Sequence, residues 1–187
     1  YTATEDGYEL QFAVNHLAGF LLAHELLPEL RRSREGRVLT TSSASHRNTR
    51  MHWRDVMYRR GYHILLAYKQ SKLANVLFSA EFNRRYGRTT GVRAFAVDPG
   101  LVNTQIGLKG TAGLAHLVWK WRSARGAAPG KGAATIVHLA TTDLNGAERE
   151  QVYWKDCRPL APSRAAQDEE EAARLWELSL RLCGLED

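Results

Sequence analysis

In Tyr68-Lys69-Gln70-Ser71-Lys72 a phenol and an ammonium stand four residues apart, a spacing that a helix stacks on one face. A phenol with its ordinary pKa near ~10 exchanges protons poorly at neutral pH. A fixed cation beside it favours the phenolate and draws that value toward the working range, as acid–base catalysis requires. The pair alone is a weak signal. Seven Tyr and six Lys in 187 residues give roughly 0.2 such pairs by chance. A single tyrosine is otherwise a packed aromatic with a satisfied hydroxyl.

Three further features could complete a site. Ser42-Ser43 closes a β-prone run, and a serine at the carboxyl end of a strand can steady developing oxyanion charge. Without partners, such a pair is an ordinary turn or cap. Asn15 lies within an apolar helical stretch, where a hydrogen-bonded core residue is the plainer explanation. Asp98-Pro99-Gly100 stops a second β-prone run, as turns commonly do. His46, just beyond Ser43, could face a substrate or equally lie on the surface.

The elements that must position these residues alternate. Asp6 and Glu9 resemble a capping box ahead of a long helix from about Gly7 to Arg31, bent or shortened at Pro28. A strand is expected over 36–42, then a polar, Arg-rich excursion over 44–62. A second long helix is expected from Leu65 to Tyr86, ended by Gly87, and a second strand over 92–97. Beyond a Gly-rich segment come a helix over Gly132–Thr141, a short strand at 151–154 and a closing helix over Ala165–Leu182. This order predicts a parallel sheet flanked by helices in one compact unit. The second long helix is apolar around most of its circumference and must be covered on two sides. The sheet can supply one cover, and a neighbouring helix or partner subunit the other.

Composition narrows the function classes. A chain that is 44% hydrophobic and 25% charged reads as globular. The net charge of +6 is carried by 20 Arg against six Lys, scattered over helix ends and loops, which favours solvated termini over a nucleic-acid groove. Cys157 and Cys183 have neither metal-site spacing nor disulfide density, so two reduced residues and no metal are expected. No apolar run reaches the ~18–20 residues of a membrane span. The chain opens on Tyr1 and runs at once into a helix-start pattern, so an incomplete chain is expected.

Together the residues resemble the second half of a short-chain dehydrogenase/reductase, of the retinol-dehydrogenase-like branch. In that family a strand ends in a catalytic Ser and the next helix carries Tyr-x-x-x-Lys. Val38-Leu39-Thr40-Thr41-Ser42-Ser43 matches the strand, with the family's serine at Ser43, and Tyr68 and Lys72 match the helix. Asn15 matches the Asn of the preceding helix, and Ser43 follows it by 28 residues and precedes Tyr68 by 25. Asp98-Pro99-Gly100-Leu101-Val102-Asn103-Thr104 matches the segment lining the nicotinamide. The likeness runs from about Thr4 to Leu182.

The resemblance implies an α/β fold: the C-terminal part of a Rossmann-like, doubly wound parallel sheet, with residues 1–187 as one partial domain. It implies Asn15, Ser43, Tyr68 and Lys72 as catalytic residues. Tyr68, Lys72, Pro99, Gly100, Val102 and Thr104 would contact NADP or NAD, with NADP favoured. Asn15 would tie its helix to a water-linked proton path, and Lys72 would lower the phenol pKa and hold the nicotinamide ribose. Residues 105–128 fall where the family builds its substrate lid. Leu114, Leu117, Val118, Trp119 and Trp121 alternate there with Lys120, Arg122 and Arg125, which suits a lipophilic substrate, a membrane surface or a lid packed on its own domain.

The family's Gly-rich turn, which holds the pyrophosphate, has no counterpart following a strand in this chain. Residues 1–187 on their own are therefore expected to bind nucleotide weakly and to turn over little. The expected activity is interconversion of a hydrophobic alcohol and its aldehyde or ketone by a longer polypeptide. The competing expectation is a truncated, non-catalytic form that pairs with an intact subunit. The expected partners are the substrate and no nucleic acid, with a membrane surface and a second copy left open. Location stays open between the cytoplasm and a membrane facing the cytosol.

Overall fold

The computed structural model describes residues 1–102 and 128–185. Strands β1 (Arg37–Thr41) and β2 (Arg93–Asp98) run parallel, in register from Arg37 beside Arg93 to Thr41 beside Val97. β3 (Tyr153–Lys155) adds to β2 in parallel, and β4 (Arg158–Pro159) folds back on β3 as an antiparallel edge. The sheet order is β1-β2-β3-β4. Parallel neighbours need a crossover, and a long central helix (Ile64–Phe82) supplies it between β1 and β2.

Side chains of β2 alternate between two apolar layers. Ala94 and Ala96 pack toward the central helix with Leu73, Leu77, Phe78 and Phe82, their small size letting the helix lie close. Phe95 and Val97 turn to the opposite layer with Leu139, Leu144 and Trp154. Leu139 belongs to the helix Pro129–Thr141, so the sheet is covered on both faces. That helix starts at Pro129 rather than Gly132, because proline suits the first helical position. Val102 packs where a Cβ on Gly132 would collide with it.

The first helical segment is not one smooth helix. It starts at Leu10, with Glu9 rather than Asp6 as its cap: Glu9 Oε2 accepts the Phe12 N–H at 2.7 Å. A π turn (Ala13–Leu17) follows, then helices at Ala18–Glu25 and Leu27–Arg32, divided at Leu26 ahead of Pro28. The central helix runs on through a second π turn (Asn83–Gly87) and Arg88–Thr90, ending at Gly91 (φ 74°) instead of Gly87. The 44–62 excursion holds one 3-10 turn (Ala44–Asn48) and is pinned inward by buried Met51, Met57 and Tyr58.

The second flank of the central helix is covered from within the chain. The closing helix (Glu169–Leu182) is capped by Asp168, whose Oδ1 accepts the Glu171 N–H at 3.0 Å, and it drives Trp176 against Phe20, Phe78 and Phe82. Arg85 spans the two helices, pairing with Glu81 at 2.6 Å and Glu177 at 2.7 Å. No partner subunit is needed to bury this flank. The expected lid lies, apart from Ala128, outside the described residues, and so does Thr104. Among the described residues no helix is long and apolar enough to cross a membrane.

Candidate active site

The two serines at the end of β1 have separate destinations. The Ser42 N–H extends the ladder to the Val97 carbonyl at 2.7 Å, and its hydroxyl donates to the Lys72 carbonyl at 2.9 Å. Ser42 is buried and fastens strand to helix. Ser42→Ala should therefore cost about 1 kcal/mol and lower the thermal midpoint by about 2–4 °C, leaving turnover unchanged; a large loss of turnover in the folded variant would contradict this. Ser43 accepts the Ser45 N–H at 3.2 Å, and its hydroxyl lies close enough to the Tyr68 phenol to favour the phenolate.

Tyr68 and Lys72 share one face of the central helix, the ammonium standing 5.5 Å from the centre of the phenol ring. Lys72 Nζ donates to the Thr41 carbonyl at 3.1 Å. Asn15 reaches the same helix, its Nδ2 donating to Ser71 Oγ at 2.9 Å. It lies inside the π turn, an irregularity that redirects backbone groups and often marks functional sites. Asn15, Ser43, Tyr68 and Lys72 thus converge at the carboxyl end of β1. Pro99 and Gly100 stand at the carboxyl end of neighbouring β2, with Gly100 at φ 72° and its N–H bonded to Asp98 Oδ1 at 2.8 Å.

The electrostatics differ from the sequence expectation in one respect. Burial pushes the Tyr68 phenol above its ordinary pKa, the Ser43 hydrogen bond pulls the other way, and the Asp98 carboxylate adds to the rise. The expected lowering by Lys72 does not dominate: the ammonium lies over the ring face and is spent on a carbonyl, while desolvation penalises the phenolate. Burial also lowers Lys72 to about 8. At neutral pH the pair is a protonated phenol beside a cation of softened charge.

His46 neither faces an open cleft nor lies on the surface. It is fully buried, with Nδ1 2.7 Å from the Ser43 carbonyl and Nε2 accepting the Ser163 N–H at 3.1 Å. An Nε2 that accepts leaves the proton on Nδ1, so the ring is a neutral brace holding the Ser43 backbone. Sequence reading also missed the groups that support the site. Gln70 is buried and anchors the 44–62 excursion, its Oε1 accepting the His52 N–H at 2.8 Å and its Nε2 donating to Val56 at 2.8 Å. Tyr153 donates to Asp98 Oδ2 at 2.8 Å. Asn75, one helical turn beyond Lys72, and His16, next to Asn15, complete the buried polar cluster. Polar residues inside apolar helices were the available signal for Gln70, Asn75 and His16.

His16 carries a pH consequence. Burial lowers it from an ordinary 6.5 to about 4, so the folded state excludes a proton that the unfolded chain binds. This stability is complete above pH ~6.5 and is lost as pH falls toward ~4, by roughly 3 kcal/mol. Urea unfolding between pH 7 and 4 checks it, and a His16→Gln variant should show a shallower acid slope. An equal slope in the two proteins would refute the assignment.

Residues 2–113 match the family model described as short chain dehydrogenase. The chain belongs to the short-chain dehydrogenase family. It is 36% identical over 187 residues to retinol dehydrogenase 12 of Mus musculus, which covers 100% of this chain and 58% of that protein. It is also 36% identical to human retinol dehydrogenase 11, over 99% of this chain and 57% of that protein. These place it on the retinol-dehydrogenase-like branch, and it spans somewhat under three-fifths of those relatives' length. A crystal structure of an uncharacterized protein from Mycobacterium Paratuberculosis superposes with a TM-score of 0.74 at 34% identity, covering all of this chain and 63% of that one.

A family of this chemistry uses a nicotinamide nucleotide, and the donor set at the ends of β1 and β2 suits part of one. Lys72 is a cation with hydrogens beyond the one given to Thr41, Tyr68 offers a hydroxyl, and among the described residues nothing fills the space where a Cβ on Gly100 would stand. Cation, hydroxyl and bare backbone match a ribose diol and the flat ring beside it.

Proposed function

We propose that this chain carries the catalytic half of an NAD(P)-dependent oxidoreductase that interconverts a hydrophobic alcohol and its aldehyde or ketone. The convergence of Ser43 and Tyr68 hydroxyls beside Lys72 carries this reading. Bound nicotinamide supplies the hydride. Ser43 hydrogen-bonds the substrate oxygen, and Tyr68 transfers a proton to it in reduction or takes one in oxidation. Lys72, fixed on the Thr41 carbonyl, holds the ribose of the nucleotide and keeps positive charge near the phenol. Asn15 ties the π turn to the central helix through Ser71. Pro99, Gly100 and Val102 would contact the nicotinamide, and family likeness adds Thr104, which lies outside the described residues.

A phenol held above its ordinary pKa is protonated at neutral pH, the form that reduction requires, while the raised value makes it a weaker acid. The names of the relatives support a lipophilic substrate. NADP is favoured over NAD only by family likeness. The test follows nucleotide absorbance in the full-length protein with NADPH or NADH and a series of long-chain and isoprenoid aldehydes. Hydride transfer that depends on Tyr68 is expected. Absence of transfer to every carbonyl, with the nucleotide bound, would overturn the reading.

A further inference from the structure

We propose that Asn75 is a positioning residue of the Tyr68–Lys72 site, its amide locked by His16 and Ser179. The inference rests on the oxidoreductase reading above and adds a support that the Asn15-Ser43-Tyr68-Lys72 set does not contain. Asn75 Nδ2 donates to two carbonyls, Asn15 and Thr41, each at 2.9 Å. Two acceptors on one side fix which end of the amide is nitrogen, because the reversed amide would set oxygen against both carbonyls. Thr41 is the same carbonyl that receives Lys72 Nζ at 3.1 Å. One amide therefore clamps the π turn of the first helix to the strand end that anchors the ammonium.

The orientation is enforced from behind. With Nδ2 committed, Asn75 Oδ1 faces His16 Nδ1 at 3.4 Å, and an oxygen facing a ring nitrogen needs a proton between them. His16 is then the neutral Nδ1–H tautomer, and its Nε2 lies 2.9 Å from Ser179 Oγ on the closing helix. The single Ser179 hydroxyl proton goes either to His16 Nε2 or to the Leu175 carbonyl, 2.8 Å away. All three side chains are buried, so none of these bonds competes with bulk water. The closing helix is thus connected to the lysine anchor through Ser179, His16, Asn75 and the Thr41 carbonyl. A purely structural asparagine would not need to share its acceptor with the lysine.

Asn75→Asp keeps the shape and removes both donors; Asn75→Ala removes the amide altogether. Each should lower kcat of the full-length enzyme by about 10–100-fold, the loss expected from a small displacement of a catalytic group. The deciding readout is the titration of Lys72, followed by NMR of side-chain ¹⁵N-labelled lysine, which is independent of turnover. It should move by about half a pH unit or more in Asn75→Ala, which brings no charge of its own beside the ammonium. Ser179→Ala touches no residue of the site and should move it in the same direction by less, which keeps the test available if the Asn75 variants fold poorly. A Lys72 titration identical to wild type in the folded variants overturns the inference, whatever happens to kcat. Tyr68→Phe run in parallel separates the two questions. Retained turnover there rejects Tyr68 as the acid–base group, while the Lys72 titration still judges Asn75.

Discussion

Tyr68→Phe is expected to lower turnover of the full-length enzyme by about 10²–10⁴-fold, the range supplied by a positioned proton donor. The substitution keeps the ring over which the Lys72 ammonium lies at 5.5 Å, so the helix face and the cation stay in place. It removes only the hydroxyl that lies within reach of Ser43. Nucleotide affinity should change little, since Lys72 and the Pro99-Gly100 turn are untouched. The wild-type pH profile carries the same information. Because burial raises the phenol, reduction should hold steady through neutral pH and fall as pH climbs through the phenol pKa, above its ordinary value. Asp98→Asn removes the nearby negative charge and should shift that fall to lower pH. Substantial turnover in the Phe variant, more than a tenth of wild type, would reject Tyr68 as the acid–base group.

Trp176→Ala should be the most damaging single change to stability. Its ring is 3% exposed and lies 4.9 Å from Phe20, stacks on Phe78 at 5.9 Å, and has the Arg85 guanidinium over it at 5.0 Å. Emptying such a site costs about 3–5 kcal/mol, which lowers the thermal midpoint by roughly 10 °C or more in a chain of this size. The loss falls where the closing helix meets the central and first helices, so calorimetry of the variant measures how firmly that cover is held. A midpoint within 2–3 °C of wild type, small for a core tryptophan, would mean that the closing helix contributes little to the cover. His16 joins the same region through Phe20 and Ser179, so loosening this packing should make the acid slope expected of His16 shallower.

Much of this was legible in the sequence. The order of elements follows from hydrophobic periodicity and turn residues, and the spacing of Asn15, Ser43, Tyr68 and Lys72 followed from a resemblance carried by four separated motifs. Element ends were less legible. Gly87 looks like a helix stop, yet a π turn carries the helix on to Gly91, where φ reaches 74°. The helix start moved from Asp6 to Glu9 because both carry carboxylates and only chain direction decides which one meets the free N–H groups.

Local pattern determined which residue types stand at the strand ends and on the helix face: a phenol, an ammonium, paired serines, an asparagine. The resemblance chose Ser43 over Ser42, but only the tertiary structure gave Ser42 its fastening role, turned His46 from a candidate substrate neighbour into a buried brace, and gave Asn75 its two carbonyls. It also reversed the direction of the Tyr68 shift, because desolvation depends on everything packed around a group, whereas the four-residue spacing conveys only the charge nearby. Periodicity is a property of the chain. Burial and hydrogen-bond partnership arise only when distant segments meet, as Asn15, Thr41, Asn75 and Ser179 do around one amide and one imidazole.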